Sequence, residues 1–154
     1  MGFISVNSPV GPLTVFAEDG VVVAVDWGWP PPHSDQPADP LLDRARDQLD
    51  AYFDGRLQRF DLPLSPRGTT FQRRVWQAIA AIPFGKVRTY GDLARDLETA
   101  PRALGGACGR NPIPIIIPCH RVLGTDGSLG GYSGMDGLET KRFLLRLEGV
   151  SLED

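Results

Sequence analysis

Cys119, His120 and Arg121 set a thiol, an imidazole and a guanidinium side by side. A thiolate attacks electrophiles where a thiol does not, and neighbouring positive charge favours the thiolate, which makes Cys119 a candidate nucleophile. Residue type alone points elsewhere, because a cysteine following an isoleucine run is commonly a buried small hydrophobe. Successive strand residues face opposite sides, so contact between Cys119 and His120 needs a bridging water or a bend after Pro118. Glu148 lies in the last turn of a helical pattern, where the helix dipole disfavours a carboxylate. A partner such as His120 or a core arginine would offset that cost, and an exposed glutamate fits the pattern equally well.

The element that must hold the thiol is Asn111-Pro112-Ile113-Pro114-Ile115-Ile116-Ile117-Pro118. Its three prolines remove backbone donors and bias the residues before them towards extended geometry, which predicts a stiff apolar strand or strand-like rod. Upstream, Phe3–Val6, Leu13–Ala17 and Val21–Val25 read as a β-meander, with Asp19-Gly20 as the hairpin turn between the last two. Pro40–Asp54 reads as an amphipathic helix that places Leu41, Leu42, Ala45, Leu49, Tyr52 and Phe53 on one face and stops at Gly55. Phe60–Pro66 has no period and reads as a linker, which predicts domains at 1–65 and 66–154.

In the second part, Thr69 or Thr70 caps a helix to about Ala81 that buries Phe71, Val75, Ile79 and Trp76. Thr89 caps a short helix through Leu97, and Thr99 with Pro101 opens another that ends near Gly109, so the pair reads as a helix-turn-helix. Small residues run along the second helix: Ala103, Gly105, Gly106, Ala107, Cys108 and Gly109. Interior glycine costs a helix up to about 1 kcal/mol, so another surface should approach this backbone, either a packed helix or a nucleic-acid groove. Asp136 and Glu139 suggest a capping box for a final helix that carries Leu138, Phe143, Leu145 and Leu147 and stops at Gly149. The fold class is therefore mixed α/β (α+β): an antiparallel β-meander plus helix, then a mostly helical part.

The net charge of −3 conceals a basic middle, because residues 1–65 carry a net −6, residues 67–122 a net +6 and residues 123–154 a net −3. Such a stripe is the footprint of a phosphate-binding face. Two cysteines and two histidines with no paired ligand spacing support neither a disulfide scaffold nor a metal site. No apolar run is long enough to span a membrane and no leader pattern precedes Phe3, so a cytoplasmic protein is expected.

Asn111-Pro112 through Pro118-Cys119-His120-Arg121-Val122 resembles the active-site signature of the O6-alkylguanine-DNA alkyltransferases, or methylated-DNA–protein-cysteine methyltransferases. The likeness extends through Phe84-Gly85-Lys86-Val87, Thr89-Tyr90-Gly91-Asp92-Leu93-Ala94, Gly131-Tyr132-Ser133-Gly134 and Leu147-Glu148-Gly149, covering roughly residues 70–150 in order. It implies a ribonuclease H-like N-terminal domain and irreversible, stoichiometric transfer of an alkyl group from O6 of guanine, and O4 of thymine, to Cys119. It further implies that His120 is the base acting through a water, that Glu148 orients it, and that Asn111 braces the helix-turn-helix against the active-site strand.

By the same resemblance the target base is flipped out of the duplex, Arg102 fills its place, and Tyr90 helps rotate the nucleotide and protonates the leaving guanine. Ala103, Gly106 and Arg110 join Arg102 and Tyr90 on the DNA face, docked in the minor groove. Tyr132, Ser133, Val122, Pro114 and Cys108 line the base pocket, with the carbonyls of Val122 and Cys119 as acceptors for the exocyclic amine. Cys108 stands where relatives often carry a larger apolar residue. No cofactor, no zinc and no obligate protein partner is implied, and the chain is expected to act as a monomer on double-stranded DNA. The rival readings are a lesion-binding module without transfer and a cysteine hydrolase built on Cys119, His120 and Glu148.

Overall fold

The structure is a computed structural model that describes residues 1–29, 39–129 and 137–152. Strands β1 (Gly2–Val6), β2 (Leu13–Glu18) and β3 (Val21–Trp27) form an antiparallel sheet in chain order. Asp19 and Gly20 take φ of 52° and 80°, the left-handed pair that a tight hairpin turn requires and that aspartate and glycine tolerate. A register shift between Phe16 and Ala17 bends β2. Helix α1 (Pro40–Phe53) starts where the Asp39 carboxylate accepts from the Leu41 amide, with Pro40 in the first turn. It packs across β1 and β2 and buries Leu42, Ala45, Leu49 and Tyr52.

Phe60–Pro66 is bonded along its length. The Val22 amide donates to the Pro63 carbonyl and the Ser65 amide to the Val22 carbonyl, at 2.8 and 2.9 Å, so the segment runs along β3. Arg44 and Gln48 of α1 hold the Asp61 carbonyl at 2.7 and 3.0 Å. Further along β3, the Val25 amide donates to the Pro112 carbonyl at 2.9 Å. The edge of the N-terminal sheet thus fixes both the strap after α1 and the start of the segment that leads to Cys119.

Helix α2 (Thr70–Ala80) opens with a reciprocal Thr69–Gln72 capping box and buries Val75, Trp76 and Ile79. The Trp76 indole donates to the Ala107 carbonyl at 2.9 Å, tying α2 to the helix that follows the turn. Strand β4 (Arg88–Thr89) pairs in parallel with β5 (Val122–Leu123). Thr89 then caps α3 (Tyr90–Asp96) in a second reciprocal box with Asp92, and α4 (Pro101–Gly109) packs against α3. Ala100, not Thr99, occupies the cap of α4, because Pro101 at the first helical position already supplies the φ and needs no donor satisfied.

The rod predicted for residues 111–118 is replaced by a turn. The Ile116 amide donates to the Pro114 carbonyl at 2.8 Å and the Ile117 amide to the Ile113 carbonyl at 2.9 Å, while Ile115 takes φ 72°. A left-handed isoleucine costs on the order of 1–3 kcal/mol, and here burial of Ile113, Ile115 and Ile117 offsets it. Proline-depleted donors cannot sustain a ladder, so the segment satisfies itself locally. The Asn111 side chain does much of this, accepting from the Ile113 amide and donating to the Ile117 carbonyl, both at 2.9 Å.

A 3-10 turn, Cys119–Arg121, follows. The last helix, α5 (Leu138–Leu147), begins at Gly137 without a side-chain cap; Asp136, predicted to provide one, lies outside the described residues. Its inward face is Thr140, Lys141, Leu144 and Leu145, whereas Leu138 and Phe143, two of the apolar residues named for this helix, are 43% and 39% exposed.

Replacement of Asn111 by alanine leaves the buried Ile113 amide without its acceptor. Urea unfolding should show a loss of roughly 2 kcal/mol, and a variant as stable as wild type would refute this account of the turn.

Candidate active site

The 3-10 turn supplies the bend that a strand lacked. It places Cys119, His120 and Arg121 on successive sides of a tight helix, all buried, with Cys119 7% exposed. Glu148, the cap residue of α5, points its carboxylate into the same space and is 4% exposed. Its Oε2 accepts from His120 Nε2 at 2.7 Å, from the Tyr52 hydroxyl at 2.6 Å and from an Arg121 nitrogen at 3.0 Å; its Oε1 accepts from Arg121 Nε at 2.7 Å. The partner that the dipole argument demanded is thus both of those named, His120 and an arginine, with a tyrosine of α1 added.

These contacts fix the protonation of the histidine. Burial alone would raise the Glu148 pKa, but hydrogen bonds from His120 and Arg121 overcome it and hold the group at about 2, so it is a carboxylate that can only accept. Burial pushes the His120 pKa below its ordinary value despite the pull of Glu148, so the ring is neutral at neutral pH. A neutral ring facing a carboxylate through Nε2 must carry its proton there, which leaves Nδ1 as a bare acceptor. Nδ1 is buried and has no hydrogen-bond partner among the described residues. The ring is therefore oriented as a base.

The sequence suggested that His120 and Arg121 together provide a positive field around the thiol, but burial lowers the His120 pKa. Arg121 instead spends its guanidinium on Glu148 and on the Ile82 carbonyl at 2.6 Å, above the Phe84 ring. The cation coupled to the thiols is Lys141, buried on α5 and donating to the Val122 carbonyl at 2.7 Å. Burial lowers its pKa to about 8, and the charges of Cys119 and Cys108 oppose that shift. Cys108 on α4 is raised to about 12 by burial and by Cys119, and Tyr90 is raised to about 12 by burial and then by the two cysteines. Tyr90, Cys108, Cys119 and Lys141 thus share one electrostatic neighbourhood.

Lys141 and Tyr52 were missed as site residues. A signal existed for Lys141, which lies seven residues before Glu148 and so on the same helical face among leucines. Tyr52 read as one more apolar residue of α1. The Val122 and Cys119 carbonyls each accept one bond already, from Lys141 and from the Val122 amide, and each keeps a second lone pair. Pro114 is buried in the turn, and Tyr132 and Ser133 lie outside the described residues. Asn111 braces the turn itself, and its amide bonds the Cys108 carbonyl at the end of α4.

Arg102, Ala103, Gly106 and Arg110 are all exposed and fall along one face of α4, opposite Leu104, Ala107 and Cys108. Among the described residues, a Cβ at Gly105, Gly106 or Gly109 would meet nothing within 4 Å, so no packed helix among them accounts for these glycines. A cleft of about 690 Å³ lies elsewhere, lined by Phe60, Leu62, Ile82, Phe84, Pro118 and Arg121; it reaches the site from behind the arginine and does not include Cys119. Among the described residues no cluster of His, Cys, Asp and Glu could hold a metal ion, and no helix is long and apolar enough to cross a membrane.

Glu148 has a folded pKa below its ordinary 4.5, so its stabilisation is present above that value and is lost as pH falls towards about 2. Glu148→Gln should cost roughly 3 kcal/mol at neutral pH, and unfolding curves of variant and wild type should converge as the medium is acidified. A difference that stays constant with pH would refute the ionised network.

Residues 2–66 match the family model described as 6-O-methylguanine DNA methyltransferase, ribonuclease-like domain, and residues 70–150 match the one described as its DNA binding domain. The methylated-DNA–protein-cysteine methyltransferase of Mycobacterium bovis is 45% identical over 150 residues, covering 94% of this chain and 90% of that one. The protein of the same name from Methanosarcina barkeri is 44% identical over 154 residues, covering 96% of each. A crystal structure of Mycobacterium tuberculosis OGT in complex with DNA superposes with a TM-score of 0.85 at 44% identity, covering 96% of this chain and 92% of that one. Both halves match in order and the relatives align over nearly their whole length; the chain belongs to the 6-O-methylguanine DNA methyltransferase family.

Proposed function

We propose that Cys119 is the residue of this chain that accepts the alkyl group from O6 of guanine in double-stranded DNA. The chain is a methylated-DNA–protein-cysteine methyltransferase, a DNA-repair protein that acts by alkyl transfer to cysteine. The observation that carries the assignment is the neutral His120 adjoining Cys119 with Nε2–H committed to Glu148 and Nδ1 left to accept. Nδ1 takes the thiol proton through a bridging water. The thiolate attacks the alkyl carbon, the S–C bond forms as the C–O bond breaks, and Tyr90 protonates the departing guanine. Lys141, charged on its acid side of about 8, favours the thiolate beside it. A thioether has no low-energy route back, so each chain reacts once.

Guanine O6 lies inside the duplex, so the base is extruded before attack. Arg102 fills the stack while Ala103, Gly106 and Arg110 seat α4 in the minor groove, whose backbones the small residues allow to come close. The protein works as a cytoplasmic monomer without a cofactor, with a domain boundary at residues 65 and 66. Neither rival is favoured: the full-length relatives are named as methyltransferases, and a hydrolase leaves the exposed face of α4 without a role.

Intact-mass measurement after incubation with an O6-methylguanine duplex should show one added methyl per chain on Cys119 and none in Cys119→Ala. Repeated turnover would sink the assignment and favour a hydrolase. Gly106→Ala should separate fold from docking, because a Cβ there meets none of the described residues within 4 Å and alanine favours the helix by up to about 1 kcal/mol. Its melting temperature should rise while its affinity for duplex DNA falls; unchanged affinity would remove α4 from the interface.

A further inference from the structure

We propose that Tyr52, on the helix of the N-terminal half, is a positioning residue for alkyl transfer: its hydroxyl fixes the Glu148 carboxylate, which fixes the base His120. The inference rests on reading Cys119 as acceptor and His120 as base. Tyr52 lies 96 residues before Glu148, is fully buried, and donates to Oε2 at 2.6 Å. That oxygen also receives His120 at 2.7 Å and Arg121 at 3.0 Å, so three donors share it and the loss of one re-aims the other two. The phenol ring is gripped by Phe53, Phe60 and Phe84, with centroids 5.2, 5.3 and 6.3 Å away, and this aromatic cage sets the direction of the hydroxyl. Packing alone would be served by phenylalanine. Burial, and then the charge of Glu148, push the phenol well above its ordinary pKa, so it stays a donor at every working pH.

The charged and titratable groups around Glu148 are Tyr52 from α1 and His120 and Arg121 from the 3-10 turn, with Lys141 of α5 acting on His120; the segment after α2 contributes only the Ile82 carbonyl, to Arg121. Removal of the Tyr52 hydroxyl leaves the carboxylate more basic and a stronger partner for an imidazolium. Either change adds a proton on the acid side, and either stops Nδ1 from taking the thiol proton. The acid limb of the pH–rate profile therefore moves to higher pH.

The test uses the full chain, O6-benzylguanine as a free-base donor that needs no DNA binding, and intact mass to follow benzylation of Cys119 across pH. In parallel, long-range proton–nitrogen spectra read the His120 tautomer, which is simple to assign because the chain has 2 histidines and His33→Gln identifies the other. Tyr52→Phe should slow transfer on the order of tenfold at neutral pH, move the acid limb upwards and weaken the Nε2–H signature, while affinity for duplex DNA is unchanged. Replacing Tyr52 with 3-fluorotyrosine, which keeps the shape and strengthens the donor, should move the limb the other way, so the proposal stands or falls even where Tyr52→Phe folds poorly. A reactive wild type whose Tyr52 variants keep its profile and His120 spectrum overturns this proposal alone, whatever their melting temperatures. A wild-type chain that takes no benzyl group overturns the alkyl-transfer reading and this proposal with it.

Discussion

An ionised carboxylate out of water is sustained only if each oxygen is met by donors, and the site is arranged around meeting that demand at Glu148. Tyr52, His120 and Arg121 supply the donors from two distant parts of the chain. Once Glu148 is fixed as an acceptor, the tautomer of His120 follows, and with it the acceptor character of Nδ1. Arg121 anchors the same carboxylate to the segment after α2 through the Ile82 carbonyl, so the network also joins parts of the chain that carry no chemistry. The low dielectric that makes such a network costly to break also holds the His120 ring in one orientation.

The thiol is held by a different device. Prolines strip the 111–118 segment of ladder donors, and a chain that cannot join a sheet must close on itself. Asn111 bridges the resulting turn, Ile115 accepts a left-handed backbone, and buried isoleucines repay the strain. The Pro112 carbonyl then fastens the start of the turn to β3, while the Cys108 carbonyl fastens it to α4. Cys119 is thereby positioned against both the N-terminal sheet and the exposed helix.

That exposed helix has two faces of opposite purpose. Leu104, Ala107 and Cys108 bury one side, and Trp76 clamps it through the Ala107 carbonyl. The other side gives up the stability that alanine would lend and keeps its backbone open between Arg102 and Arg110. Folding does not require glycine at positions where none of the described residues comes near, because alanine there would favour the helix.

Local chemistry was legible in the residues themselves. Asp19-Gly20 requires a hairpin, Thr69 with Gln72 and Thr89 with Asp92 cap helices, and the α1 stripe ending in Tyr52 needs a sheet to cover; each is decided within a few residues of chain. The run ending in Pro118-Cys119-His120-Arg121 set a thiol beside an imidazole and a guanidinium in the same way. Long-range satisfaction was not legible. Nothing near Tyr52 says that its hydroxyl meets a carboxylate 96 residues away, and nothing near Lys141 says that a carbonyl of β5 receives it. The extended rod expected at 111–118 became a turn because proline's local preference for extension competes with unsatisfied polar groups, and only the folded chain shows which donors and acceptors are within reach. Propensity acts between neighbours in sequence, whereas a buried charge is settled by neighbours in space, so the capped helices and the hairpin were legible in the sequence, while the turn at 111–118 and the groups that hold Glu148 were decided by the tertiary structure.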